Sequence, residues 1–343
     1  HGGDLKRTAL QEDRSQHRGG KGRSGMGTRD DDFVERLFVA SNHDRFLFFS
    51  NLGKVYSLKV YELPEAGTAA KGRALVNLLS LDPEEKILGL LSARGCFDEV
   101  HFLVLATRNG IVKKTPMSEF ESIRANGKIA MTFREGDELV GAGITDGRSH
   151  VFLATRAGHC ITFPEDDVRP MGRTSQGVIG IRLKGEDEVV DMEVLTGAVV
   201  ESFDEDGAGK AVAGEGSILT VTEKGFGKRT PLSHYRIQGR AGSGIINIQT
   251  TVRNGRVVGG LHCREEDEIV VVTAQGQLIR TPVKGISDIG RRTLGFKVIS
   301  LGEGDKVVSV AKHVSEGEEG ASPEPPRGPP AGPAPPCRRE DSV

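Results

Sequence analysis

The sequence predicts an all-β fold, a propeller-like ring of four-stranded blades followed by a disordered C-terminal tail. Two observations carry this reading. A strand-turn-strand motif recurs five times along the 343 residues at intervals of about fifty residues. Glycine is also far more abundant than proline, 46 against 15, as expected for many tight turns joining short strands.

In each repeat an apolar strand ends in Ser or Thr, a Gly follows three positions later, and an alternating segment then closes in basic-Thr-Pro or a variant. The instances are FLFFSNLGKVYSL from Phe46, FLVLATRNGIVKKTP from Phe102, VFLATRAGHCITFP from Val151, ILTVTEKGFGKRTP from Ile218 and IVVVTAQGQLIRTP from Ile269. Their glycines, Gly53, Gly110, Gly158, Gly225 and Gly276, are read as hairpin-turn residues taking positive φ. Downstream of each hairpin comes a basic, Gly-containing stretch with a third strand (GRALVNLL, NGKIAMTF, GRTSQGVIGIRL, GRAGSGIINIQT, RRTLGFKVISL), then an acidic turn and a closing strand. Four strands per unit make a propeller-type blade, which buries both faces only by stacking on neighbours.

The predicted blades span about 41–95, 96–147, 148–195, 216–263 and 264–314, with an acidic insert at 196–216. Residues 1–40 match the later part of a unit and form a sixth, incomplete blade. Its first strand is expected before His1, since the chain is read as starting inside a longer polypeptide. Residues 315–343, rich in Pro, Gly and acids, lack the apolar content to repay ordering entropy and are read as a disordered tail.

Net charge is −2, but its placement matters more than its sum. The insert holds Glu201, Asp204, Glu205, Asp206 and Glu215 against Lys210 alone, and the tail is also acidic, so the body between them is mildly basic. Cys96, Cys160, Cys263 and Cys337 are far apart, which favours a reducing cytoplasm over a disulfide framework or zinc ribbon. The pairs His159-Cys160 and His262-Cys263 lie in apolar strands and are read as packing positions, and Asp30-Asp31-Asp32 as a solvated turn, so no metal or other cofactor is expected. No apolar run is long enough for a transmembrane helix, and no membrane partner is expected. Phosphate-loop, GxSxG and HExxH patterns are missing, so no catalytic residue is assigned.

The most distinctive segment is Gln16-His17-Arg18-Gly19-Gly20-Lys21-Gly22. Its glycines let backbone approach a ligand closely, while Arg18, Lys21 and the adjacent Arg23 supply donors suited to phosphate oxygens. Lys6 and Arg7 add to this patch. Other units carry cations at matching points: Lys54 and Lys59, Lys113 and Lys114, Lys228 and Arg229, and Arg280 on the hairpins; Arg73, Lys128, Arg173, Arg240, Arg291 and Arg292 on the second loops. Singly, each is equally well a solvated strand end. Repeated in register, they predict a basic belt on one rim that grips phosphates and bends duplex DNA without reading its sequence.

The QHRGGKG segment and the repeats resemble the C-terminal domain of bacterial DNA gyrase A subunits, over roughly residues 3–314, with His17 where the family's box usually has Arg. Asp4 and Ala9 depart from the aromatic residue and Pro usual there. The resemblance implies a six-bladed β-pinwheel that wraps double-stranded DNA, with Gln16 through Gly22 closing the ring and holding DNA at its end. It also implies a place in a bacterial A2B2 holoenzyme, beside the remainder of gyrase A and the gyrase B subunit. That complex is cytoplasmic and nucleoid-associated, and its catalytic Tyr and ATPase site lie outside this chain. Two alternatives stand beside it: a protein-binding propeller, and a topoisomerase IV-type domain that binds DNA with little wrapping.

Overall fold

The computed structural model describes residues 4–5, 7, 42–65, 73–204 and 207–313. The box at 16–22, Lys6, Arg23, the Asp30–Asp32 run and the tail at 315–343 lie outside the described residues.

After β1 (Asp4–Leu5), successive units supply four strands each: β2 (Arg45–Ser50), β3 (Lys54–Lys59), β4 (Arg73–Ala74) and β5 (Ile87–Ala93); then β6 (Phe102–Thr107), β7 (Ile111–Pro116), β8 (Lys128–Ile129) and β9 (Leu139–Thr145); then β10 (His150–Thr155), β11 (His159–Pro164), β12 (Val178–Ile179) and β13 (Val189–Leu195). The acidic insert forms a hairpin of its own, β14 (Ala198–Asp204) and β15 (Gly207–Ala213). The last two units hold β16 (Ser217–Thr222), β17 (Phe226–Pro231), β18 (Ile245–Ile246) and β19 (Val257–Cys263), then β20 (Glu268–Thr273), β21 (Leu278–Pro282), β22 (Phe296–Lys297) and β23 (Val307–His313).

Among the described residues the strands from β2 onward, apart from β4 and the β14–β15 hairpin, form five antiparallel blades, and the sheet orders correct the expectation that each unit makes its own blade. The orders are β5-β2-β3-β8, β9-β6-β7-β12, β13-β10-β11-β18, β19-β16-β17-β22 and β23-β20-β21. The short third strand of every unit therefore completes the blade before it; likewise β4 pairs with β1. The cause is local. In four units the second strand ends in proline (Pro116, Pro164, Pro231, Pro282) and a 3-10 turn follows at once, which carries the chain away from its own sheet. Among the described residues, β21 receives no exchanged strand.

The repeated Ser/Thr and Gly positions serve this exchange. Thr107 Oγ1 accepts the Ile111 amide and donates to Asp137, 2.6 Å away, while Thr155 and Thr273 accept the His159 and Gln277 amides in the same way. The turn glycines have positive φ and offer their carbonyls to the next unit: Gly53 accepts the amides of Ala130 and Met131, Gly158 those of Asn247 and Ile248, and Gly225 those of Val298 and Ile299.

Alternation along each first strand feeds two cores at once. Leu103 and Leu105 pack with Leu47 and Phe49 of the preceding blade, while Val104 and Ala106 pack with Val151 and Leu153 of the following one. The fourth strands β5, β9, β13, β19 and β23 pack serially against one another on the inside of the arc. Glycine permits that approach: a Cβ on Gly259 would lie 2.4 Å from Val310 Cγ1. The exchanged third strands consequently form the outer edge of the blades, where their basic loops are displayed.

Candidate nucleic-acid interface

The outer edge carries the predicted cations unevenly, because part of the predicted belt is interior. Lys113, Lys114, Lys228, Arg229 and Arg291 are buried. The Lys113 ammonium donates to the Ala130 carbonyl at 2.6 Å and to that of Arg173; Lys228 donates to the carbonyls of Gly290 and Arg291 at 2.6 and 2.7 Å. Arg229 Nε donates to Ile286 O, and Arg291 donates to Ile246 O at 2.7 Å. Lys114 pairs with the buried Glu165 at 3.0 Å beneath the Phe102 ring. These five hold exchanged strands and 3-10 turns in place, so their expected role as surface phosphate contacts is corrected. An alternating Lys-Lys-Thr-Pro strand looks half-solvated in sequence, but the next unit covers its outer edge.

Burial, followed by the nearby Arg173 charge, pushes the Lys113 ammonium down to about 8. From that value up to the ordinary lysine value near about 10.4, the unfolded chain binds a proton that the folded chain does not. Stability contributed by this group therefore rises with pH across that window. Urea unfolding of the wild type and Lys113→Met at pH 7.5, 9 and 10 is expected to show the wild type gaining on the variant as pH rises; a constant difference would contradict the assignment.

Two further predicted positions face outward but are partly engaged. Arg173 pairs with Glu119 at 3.1 Å and donates to Ile129 O, and Arg240 donates to Asp167 O and to Ile179 O at 3.0 and 2.7 Å. With Arg291 on Ile246, they form a repeating arginine clasp, each head reaching the second residue of the preceding exchanged strand. The clasp fixes the outer edge from blade to blade.

The remaining positions are accessible to different degrees. Arg73, Arg280 and Arg292 are exposed, Arg280 pairing with Glu268. Lys54, Lys59 and Lys128 are half-buried: Lys54 pairs with Asp82, Lys59 lies 5.3 Å from the Tyr61 ring, and Lys128 donates to Glu119 O and Ser122 O. Arg7 is tied to Leu63 O, Asn42 and Glu65. Arg124 and Lys297 are also exposed beside the exchanged strands and were not singled out in the sequence. Their signal there was only proximity to Lys128 and Phe296, without a shared motif.

The hairpin β14–β15 packs beside the 3-10 turn Leu232–His234, with Ile237 donating to Lys210 O at 2.6 Å. The insert therefore reaches the chain that leads to the Arg240 loop. Cys160 and Cys263 are buried in strands, and His262 Nε2 meets Glu215 O at 3.0 Å. Among the described residues no group of three His, Cys, Asp or Glu side chains is arranged to hold a metal ion, and no helix is long and apolar enough to cross a membrane.

Together these features define a strand-exchanged propeller with arginine and lysine along its outer edge. The family described as DNA gyrase C-terminal domain, beta-propeller, matches residues 5–41, 44–94, 101–146, 149–196, 216–263 and 267–313, and the chain belongs to that family. The DNA gyrase A protein of Salmonella typhimurium is 40% identical over 339 residues, covering 94% of this chain and 37% of the relative. Its Staphylococcus aureus counterpart is 41% identical over 319 residues, covering 93% and 34%. The chain thus spans about a third of the length of the curated relatives it matches. Two solved structures share the fold: a DNA topoisomerase IV C-terminal domain (25% identity, TM-score 0.74, 90% of each chain) and a DNA gyrase A C-terminal domain (26% identity, TM-score 0.66, 90% of this chain and 96% of that one).

Proposed function

We propose that this domain binds duplex DNA along its outer edge without reading sequence and wraps it chirally, so that a gyrase can introduce negative supercoils. The observation that carries the reading is the placement of the accessible cations Arg73, Arg124, Lys128, Arg292 and Lys297 on or beside the exchanged strands β4, β8 and β22, with the partly exposed Arg173 and Arg240 beside β12 and β18, so that each exchanged outer strand has a cation near it. Repeated cations on a curved edge contact phosphates at successive turns of a bent duplex, and such contacts offset the bending cost of several kcal/mol. In this reading Gln16 through Gly22, with Lys6 and Arg23, anchor the end of the wrap. The domain is non-catalytic and serves a cytoplasmic, nucleoid-associated A2B2 complex with the gyrase B subunit, whose cleavage and ATPase chemistry lies elsewhere.

The test is topological. A nicked plasmid is ligated with increasing amounts of the domain, beside a variant with Arg18, Lys21 and Arg23 changed to Ala. A protein-dependent positive shift in linking number, lost in the variant, is expected. Binding without a shift would favour the topoisomerase IV-type reading; a solved topoisomerase IV C-terminal domain shares this fold. Absence of binding would leave a protein-docking propeller.

A further inference from the structure

One place on the outer edge breaks the repeat. Aligned on the loop glycines Gly127, Gly177, Gly244 and Gly295, the clasp arginines Arg173, Arg240 and Arg291 share one position, and this unit has Ile123 there instead. The loop carries Arg124 one residue later and Lys128 on β8, and Arg173 of the next unit reaches over to Ile129 O. These three cations, with Ser122, Asn126 and Gly127, line an open notch of about 430 Å³.

The positive charge in the notch is incompletely neutralised. Glu119 is the acid engaged there, on Arg173. Arg124 is exposed and makes no side-chain hydrogen bond or ion pair among the described residues. Burial chiefly, then the Arg173 charge and more weakly Arg124, lowers the Lys128 ammonium below its ordinary value, against the opposing pull of Glu119. The Asn126-Gly127 turn, with φ of +76° at Gly127, adds short polar groups beside the cations without a bulky side chain.

We propose that this notch is a phosphate seat, in which Arg124 and Lys128 grip one phosphate group while Arg173 braces the wall. The inference deepens the DNA-binding reading and rests on it for the source of the phosphate, a backbone phosphate of the duplex. Arg124 is the gripping residue open to test, since its side chain makes no hydrogen bond or ion pair among the described residues.

Two measurements separate the outcomes. Amide resonances of Asn126 and Gly127 are followed while inorganic phosphate is titrated, and duplex DNA affinity is measured across a salt series. Saturable shifts are expected in the wild type, lost in Arg124→Ala and kept in Arg124→Lys. For DNA, Arg124→Ala is expected to reduce the slope of log K against log salt by about one, whereas Arg94→Ala, at the end of inner strand β5, leaves it unchanged. Phosphate shifts in a protein that binds no DNA would keep the seat and remove the DNA reading. DNA binding with an unaltered slope in Arg124→Ala, and no phosphate shifts, would overturn the seat and leave the DNA reading standing.

Discussion

Gly158→Ala is expected to destabilise the domain by about 3 to 5 kcal/mol, far more than an ordinary turn glycine. The residue has φ of +90°, and an added Cβ would sit 2.3 Å from the carbonyl oxygen of Ile248. That carbonyl belongs to the exchanged segment whose Asn247 and Ile248 amides donate to Gly158 O, so the clash falls on backbone that has no room to withdraw. Gly185 separates this effect from strain alone. Its φ is +59°, and a Cβ there meets nothing within 4 Å, so Gly185→Ala costs only the left-handed conformation, about 1 to 2 kcal/mol. Urea midpoints of the two variants measure the difference directly. Equal losses would mean that the turn glycine does not pin the neighbouring unit.

Glu165→Ala is expected to cost a comparable amount, about 3 to 5 kcal/mol, because it strands a buried cation. Both side chains of the Lys114–Glu165 pair are almost wholly buried. The carboxylate also accepts from Thr145 Oγ1 at 2.7 Å and from the Ser149 amide at 2.8 Å, and these donors lose their partner too. Exposed Asp166 accepts directly from Lys114 Nζ at 3.3 Å, but as a solvent-screened carboxylate it supplies only weak compensation. Lys114→Met combined with Glu165→Leu removes both charges and is expected to recover much of the loss, since paired burial itself contributes little net stability. Denaturant unfolding of the three proteins decides. A double variant as unstable as Glu165→Ala would show that packing or the Thr145 and Ser149 bonds, not the stranded charge, carry the effect.

These two sites also mark where sequence reading was sufficient and where it was not. Strand positions, hairpin turns and the all-β architecture were legible because their causes are local. Alternating apolar residues build a two-faced strand, Ser or Thr accepts an amide at the turn, and glycine supplies the positive φ. The repeat itself was legible because each unit solves the same local problem.

What lay across unit boundaries was not. Whether a third strand returns to its own sheet or crosses to the preceding one depends on the 3-10 turn after Pro116, Pro164, Pro231 or Pro282, and the composition is the same either way. The fate of the basic residues followed from that crossing. Lys113 and Lys228 look like solvated strand ends until the carbonyls of Arg173 and Arg291, sixty or more residues onward, close over their ammonium groups. Arg173 and Arg240 lie at the outer edge, and their clasping of Ile129 and Ile179 requires the neighbouring blade to be present. Local sequence thus dictates the strands and turns, the repeat and the stock of positive charge. Which of those charges face outward is set by packing between units, because long basic side chains take whichever acceptors the neighbouring blade brings within reach.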